Sequence, residues 1–271
     1  MSCKRQKMRK KKKENNFLKM YQKIIKKIIE LGDTLPEISG RVSDIGKSKQ
    51  WLSRKEIEIE KELVKLIDTF PGKHLIYGET LNGTFTKSDN VWIIDSISNT
   101  TNFIHGMPHY SIVVSHLHKG EVRFAAVYDP SNKELFTAEK GKGAFLNKKR
   151  IHVSNRAKDL FFMIGTYFTP PRPYRKKALK IISEMSENGG TIRVLGSLGV
   201  HYAYVACGRA DVAITFNEDT FPEFAGKLLV EEAGGKFTDF SGSALNIKTE
   251  GIIASNGLIH NQVKKIVRSV V

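Results

Sequence analysis

Three stretches of the chain combine residue types and spacing that could do chemistry. Trp92-Ile93-Ile94 is an apolar run that ends in Asp95 and passes into Ser96-Ile97-Ser98-Asn99-Thr100-Thr101-Asn102, a polar, turn-forming segment. A carboxylate at the C-terminal end of a strand, followed by a helix start, is a common location for hard-metal or phosphate chemistry, because it sets an anion beside unsatisfied backbone amides. Thr100, Thr101 and the amides around them could cradle a phosphate. Ile76-Tyr77-Gly78-Glu79 repeats the pattern of a strand ending in a carboxylate, and Phe221-Pro222-Glu223 stands just ahead of the helical run LLVEEAGG. Pattern alone leaves a second reading open, in which Asp95 caps the next turn and Glu79 lies on a solvated edge.

The elements that must position these residues follow from periodicity. Phe17, Met20, Tyr21, Ile24, Ile28 and Leu31 recur at helical spacing with lysines on the opposite face, and Gly32 is the stop. Residues 33–53 are polar and irregular. RKEIEIEKELVKLIDTF is a second helix burying Ile57, Leu63, Leu66 and Ile67, ended by Pro71-Gly72. From there the period shortens, and HLIYGE, VWIIDS, YSIVVSHLH, EVRFAAVYDP and KELFTAEK read as short strands between turn signals. Pro170, Pro171 and Pro173 mark a surface loop. KKALKIISEMSENGG is a helix, TIRVLGS a strand, VHYAYVACG a small-residue helix and DVAITF a buried strand; PEFAGKLLVEEAGG is a helix opened by Pro222 and closed by glycine. With no internal repeat and no long linker, residues 17–271 read as a single layered unit mixing helices and sheets.

Composition sets outer bounds. At 271 residues, 40% hydrophobic and 27% charged, the chain is long enough for a large core and is not of disordered type. No apolar run is long enough to cross a membrane as a helix, and the basic N-terminus has no apolar segment behind it, so no cleaved secretory signal is expected. Two cysteines, Cys3 and Cys207, cannot build a disulfide framework or a cysteine-based zinc site, and they suit a reducing cytoplasm. The net charge is +16, and half of it sits in residues 1–13, which hold eight Lys or Arg and no acid. Residues 1–16 therefore read as a solvated, disordered basic tail, with RNA, DNA or acidic lipid as the sharper alternative. No aromatic residue is interleaved there to stack on bases.

WIIDSISNTTNFIHGMPHYSIVVS, AVYDPSNKELFTAEKGKGAFLN, VACGRADVAI and LLVEEAGG together resemble the inositol monophosphatase family of magnesium-dependent, lithium-sensitive sugar-phosphate phosphatases, from about Phe17 onward. The resemblance implies a layered αβαβα sandwich, a homodimer, and a carboxylate cluster holding two or three Mg²⁺ ions that activate water and stabilise the leaving alkoxide. Carried over by position, Glu79 matches the first Glu of the family's GEE segment, a metal ligand. Asp95 matches the Asp that bridges metals, and Ile97 the residue whose carbonyl binds metal. Thr100 matches the Thr that orients the attacking water, and Glu56 falls near the early-helix Asp that helps activate it, with neighbouring registers open.

The departures fall where that chemistry is done. The second Asp of the DP-hydrophobic-DGT segment is Ser98, its Gly is Asn99, and the Asp of the WD dipeptide is Pro222. Glu223 lies one residue on, about 100° further round a helix. The Glu that grips inositol hydroxyls corresponds to Thr215. The resemblance thus implies at most one weakly held Mg²⁺, on Glu79, Asp95 and the Ile97 carbonyl, with Ser98, Asn99 and Thr100 facing the phosphate.

The expected function is a member of this family with activity impaired or absent. One alternative is an active phosphatase on an inositol, sugar or nucleotide phosphate, with a ligand rerouted through Glu56, Asp219 or Glu223. The other is a module that binds RNA or the transcription machinery through residues 1–27. His105 and His109, four apart, could share a metal but show no third ligand; His152, His201 and Cys207 read as structural residues.

Overall fold

The structure, a computed structural model, describes residues 2–45, 53–78, 88–165, 174–216, 221–245, 249 and 251–270, and of residues 2–14 it describes the backbone. In chain order the elements are α1 (Ser2–Gly32), α2 (Leu35–Ile38), α3 (Arg54–Asp68), β1 (Leu75–Gly78), β2 (Asn90–Ser98), α4 (Thr100–Ile104), β3 (Ser111–His118), β4 (Glu121–Asp129), β5 (Glu134–Glu139), β6 (Gly143–Leu146), β7 (Lys149–Ile151), β8 (Phe161–Gly165), α5 (Arg175–Glu187), β9 (Thr191–Arg193), α6 (Leu198–Ala206), β10 (Val212–Phe216), α7 (Glu223–Glu232), β11 (Lys236–Asp239), β12 (Gly251–Ser255) and α8 (His260–Val270).

A seven-stranded sheet runs in the order β1 to β7, with β1 and β2 parallel and the remaining neighbours antiparallel. A five-stranded sheet has the order β11-β12-β10-β8-β9. Alternation along the strands sends side chains to both faces. Trp92 and Ile94 of β2 meet α1 and α3 on the outer face, while Val91 and Ile93 meet α6 and α7. The second sheet does the same, with Ala213 and Ala254 packing inward and Val212, Ile214 and Ile253 outward against α5 and α8. The layers are therefore αβαβα, as the family resemblance implies.

The middle layer is thin because small residues line it. A Cβ on Gly199 of α6 would lie 2.6 Å from Val113 Cγ2, and one on Gly226 of α7 would lie 2.2 Å from the Tyr202 ring. The C-terminal end of α7 is tied to the first sheet by Glu232, whose carboxylate accepts the amides of Gly141 and Gly143 at 2.8 Å each. Gly141 and Gly143 both have positive φ (76° and 91°), and a Cβ on Gly143 would lie 2.4 Å from the Arg150 guanidinium, which explains the glycines of the GKGAF turn.

Three expectations change. The basic segment expected as a disordered tail is the first half of α1; between Ser2 and Leu31 there is no Gly or Pro, and Lys, Arg, Gln and Met are good helix formers. In α3 the buried face is Glu56, Ile59, Glu60, Leu63 and Ile67, so Ile57 and Leu66 are only half-buried. The buried face is turned by the two carboxylates it must present. A short helix, α2, interrupts the stretch expected to be irregular. The Pro170–Pro173 loop lies outside the described residues.

Gly226→Ala is expected to destabilise the protein by about 1–3 kcal/mol in urea unfolding, because the methyl group must displace the Tyr202 ring within a packed layer.

Candidate active site

Asp95 lies near the C-terminal end of β2, 6% exposed, where the β2–β3 register slips. Asp95 pairs with Val113 and Ser98 with Ser111, so Ser96 and Ile97 together oppose Ile112. Such a bulge bends the strand and re-aims its side chains, and Ile97, Ser98 and Thr100 are all buried just beyond it. Asn99 adopts the left-handed conformation (φ 76°) and caps α4, accepting the Asn102 amide on Oδ1 at 3.0 Å. Asn is among the few residues besides Gly that tolerate this conformation, so the turn survives the substitution. The Asn99 and Asn102 side-chain amides both donate to the Leu195 carbonyl, at 3.3 and 2.7 Å, binding this turn to the segment before α6.

Glu56 reaches the same place from α3. It is the N3 residue of a capping box: Ser53 Oγ accepts the Glu56 amide at 3.2 Å, and Glu56 Oε2 accepts the Ser53 amide at 2.8 Å. Thr100 Oγ1 donates to Glu56 Oε1 at 2.6 Å and lies 3.3 Å from the Ile97 carbonyl oxygen. Glu56 is 1% exposed, and burial pushes its carboxyl up to about 7 against the opposing pull of these hydrogen bonds. At neutral pH it is poised to hold or release a proton. Glu56 is thus the direct hydrogen-bond partner of Thr100.

Glu60, one turn on, was not singled out by sequence pattern. It is also buried, and its carboxyl group fills the space a Cβ on Gly78 would occupy, 2.4 Å away. Only Gly fits at Gly78, next to Glu79. Glu79, Glu218 and Asp219 lie outside the described residues.

Pro222 is buried as the N-cap of α7 and makes no side-chain cap. Glu223 is buried and points inward rather than to solvent: Tyr202 OH donates to its Oε1 at 2.9 Å and lies 2.7 Å from Thr215 Oγ1. A carboxylate is thereby linked through Tyr202 to Thr215. His109 does not pair with His105 at four-residue spacing; its ring faces His201, centroids 5.6 Å apart. Among the described residues no group of three or more His, Cys, Asp or Glu side chains is arranged to hold a metal ion. Asp95, Ile97 and Ser98 are all buried within this one turn, and Ser98 brings no charge to it.

Glu56 binds its proton more tightly folded than unfolded, so its contribution to stability is fully present below pH 4.5 and is lost as pH rises through about 7. Glu56→Gln is accordingly expected to flatten the fall in stability between pH 5 and 8 and to gain about 2–3 kcal/mol at pH 8.5, read by urea denaturation across that range. A steeper fall in the variant than in the parent would contradict a protonated Glu56.

Comparison with known proteins agrees with this geometry. Residues 16–271 match the profile of the Inositol monophosphatase family. A fructose-1,6-bisphosphatase/inositol-1-monophosphatase of Thermotoga maritima is 37% identical over 258 residues, covering 91% of this chain and 95% of that protein. A Nus factor SuhB of Pseudomonas aeruginosa is 33% identical over 77% of this chain and 79% of its own length. Among solved structures, the Thermotoga maritima IMPase superposes with a TM-score of 0.82 at 36% identity, over 92% of this chain and 97% of that one. The extragenic suppressor protein SuhB of Bartonella henselae gives 0.83 at 28% identity, over 92% and 98%. With its five layers, its β2 turn and its sequence all in agreement, the chain belongs to the inositol monophosphatase family.

Proposed function

We propose that this protein binds a phosphorylated polyol or sugar at the turn that follows β2, beside Glu56 of α3, and hydrolyses it slowly or not at all. The observation that carries this reading is that two family ligand positions, Ser98 and Pro222, are both buried and both neutral. The family is generally Mg²⁺-dependent. Asp95 and the Ile97 carbonyl, with Glu79, would hold one such ion. When bound, it would polarise a phosphate oxygen and acidify a water. A second ion would lack its anions at Ser98 and Pro222.

The hydrogen bond between Thr100 and Glu56 supports a retained route for a proton. A water donating to Thr100 Oγ1 would lose its proton to that hydroxyl as the hydroxyl passes its own to Glu56 Oε1, a base whose affinity is matched to neutral pH. The turn from Asn99 to Asn102 is held to Leu195, and the backbone amides of Thr100 and Thr101 at the start of α4 would bind a phosphate. The Thermotoga relative carries the names of both a fructose-bisphosphate and an inositol-phosphate phosphatase, which supports sugar and polyol phosphates as the ligand class.

Phosphate release from a panel of inositol, sugar and nucleotide monoesters, at saturating Mg²⁺ and with chelator, tests the reading. Turnover is expected to be at least 100-fold below that of the Thermotoga relative, and Ser98→Asp with Pro222→Asp to raise it tenfold or more. Parent turnover at the relative's rate, abolished by Glu79→Gln, would overturn it in favour of an active enzyme with rerouted ligands.

A second reading concerns α1. Its basic half precedes residue 16, where the family match begins, and relatives named Nus factor SuhB point to contact with the transcription machinery. Lysines and arginines along that helix would bind RNA through its phosphates. Anisotropy titration of a single-stranded RNA at stepped salt should show a steep log–log slope, flattened by deletion of residues 2–13. A slope unchanged by the deletion would remove α1 from the interaction.

A further inference from the structure

The pairing of His109 with His201 is not used by the site above. His201 sits on α6, 0% exposed, and neither of its ring nitrogens has a hydrogen-bond partner; Nε2 of His109, 9% exposed, also has none. Buried polar groups normally find partners, so three orphaned ring nitrogens on two facing rings call for an explanation. Burial holds both imidazoles neutral, His109 down to about 4 and His201 down to about 3, so each keeps a lone pair free at pH 7. The rings are 5.6 Å apart with planes inclined at 45°. A metal about 2 Å from a coordinating nitrogen lies roughly 3 Å from that imidazole's centroid, so two rings sharing one ion sit with centroids no more than about 6 Å apart.

The surroundings narrow the ion. Tyr204 packs edge-on against His109 (6.1 Å), and the Arg209 guanidinium over the Tyr204 ring (5.1 Å) is held by Glu134. No third His, Cys, Asp or Glu among the described residues completes a cluster. Zn²⁺ needs four donors, and a dication held by two neutral imidazoles alone carries a heavy desolvation cost. A singly charged, soft d¹⁰ ion is content with few neutral donors, and imidazole suits copper.

We propose that His109 and His201 form a two-imidazole site for Cu⁺, placed between the β2–β3 connection and α6. The site is anchored on both sides. The His109 carbonyl accepts the Asn102 side-chain amide at 2.8 Å, and the His201 amide donates to the Ser197 carbonyl at 3.0 Å. A bound ion would clamp the turn carrying Asn99 and Thr100 to the helix that follows Leu195.

The test uses the full chain with Cys3→Ser and Cys207→Ser, so that thiols do not compete. Anaerobic titration against a chromophoric Cu⁺ chelator should show one equivalent taken up. The equivalent should be lost in His109→Asn and in His201→Asn and kept in His105→Asn, with far-ultraviolet circular dichroism confirming that each is folded. X-ray absorption of the loaded parent, which needs no histidine variant, should show imidazole scattering. No uptake by the folded parent, uptake unchanged by either pair substitution, or a copper edge without imidazole neighbours would overturn the assignment.

Discussion

The site depends on a carboxylate that has been taken out of water. Burying an ionised Glu56 with nothing around it would cost several kcal/mol, and the fold meets that cost in two ways. One oxygen takes the Ser53 amide, a donor left over at the helix start, and the other takes the Thr100 hydroxyl. The remainder is absorbed by raising the proton affinity. Because those donors come from α3 and from the turn after β2, the contact fixes the outer helical layer against the strand that carries Asp95. The register of α3, and with it the inward placement of Glu60 over Gly78, follows from the same contact.

A neutral Ser98 and Pro222 also change the balance of forces in the absence of any cation. A pocket crowded with carboxylates repels itself and is relieved only by metal. Here the anions near β2 are fewer, hydrogen-bonded or proton-sharing, so the turn can be held by amides instead: Asn99 and Asn102 on Leu195 do the joining. Asn99 suits this twice over, because it accepts the left-handed backbone and also supplies a donor. Its amide nitrogen occupies the space where a Cβ of Gly196 would be, 1.7 Å away, which explains the glycine opposite it.

Much of this was legible in the chain, and the gaps have physical causes. Asp95 could be picked out because an apolar run ending in a carboxylate and turn formers is local information. The five layers came from resemblance, with periodicity supplying most of the helices and the early strands. Glu60, and the pairing of His201 with His109, were not legible because each residue sits at an ordinary helical position and meets its partner only across space. Glu223 was expected to turn away from the site by helical geometry, but α7 lies between two sheets and buries every residue from Pro222 to Gly226, so turning away from one interior leads into another. The basic segment reads as a solvated tail from its charge alone, whereas its residues also have a strong helix preference, and α1 begins at Ser2.

The length of α1 has one more consequence. A helix rises about 1.5 Å per residue, so the stretch from Ser2 to Asn15, ahead of Phe17, reaches roughly 20 Å. Electrostatic influence in physiological salt fades over about 8 Å. The far end of the basic stretch is therefore screened from the root of the helix beside Phe17, and each part of it acts on a polyanion locally. Selection could lengthen or shorten the stretch, adding or removing polyanion contacts at its tip, without changing the field where α1 joins the fold.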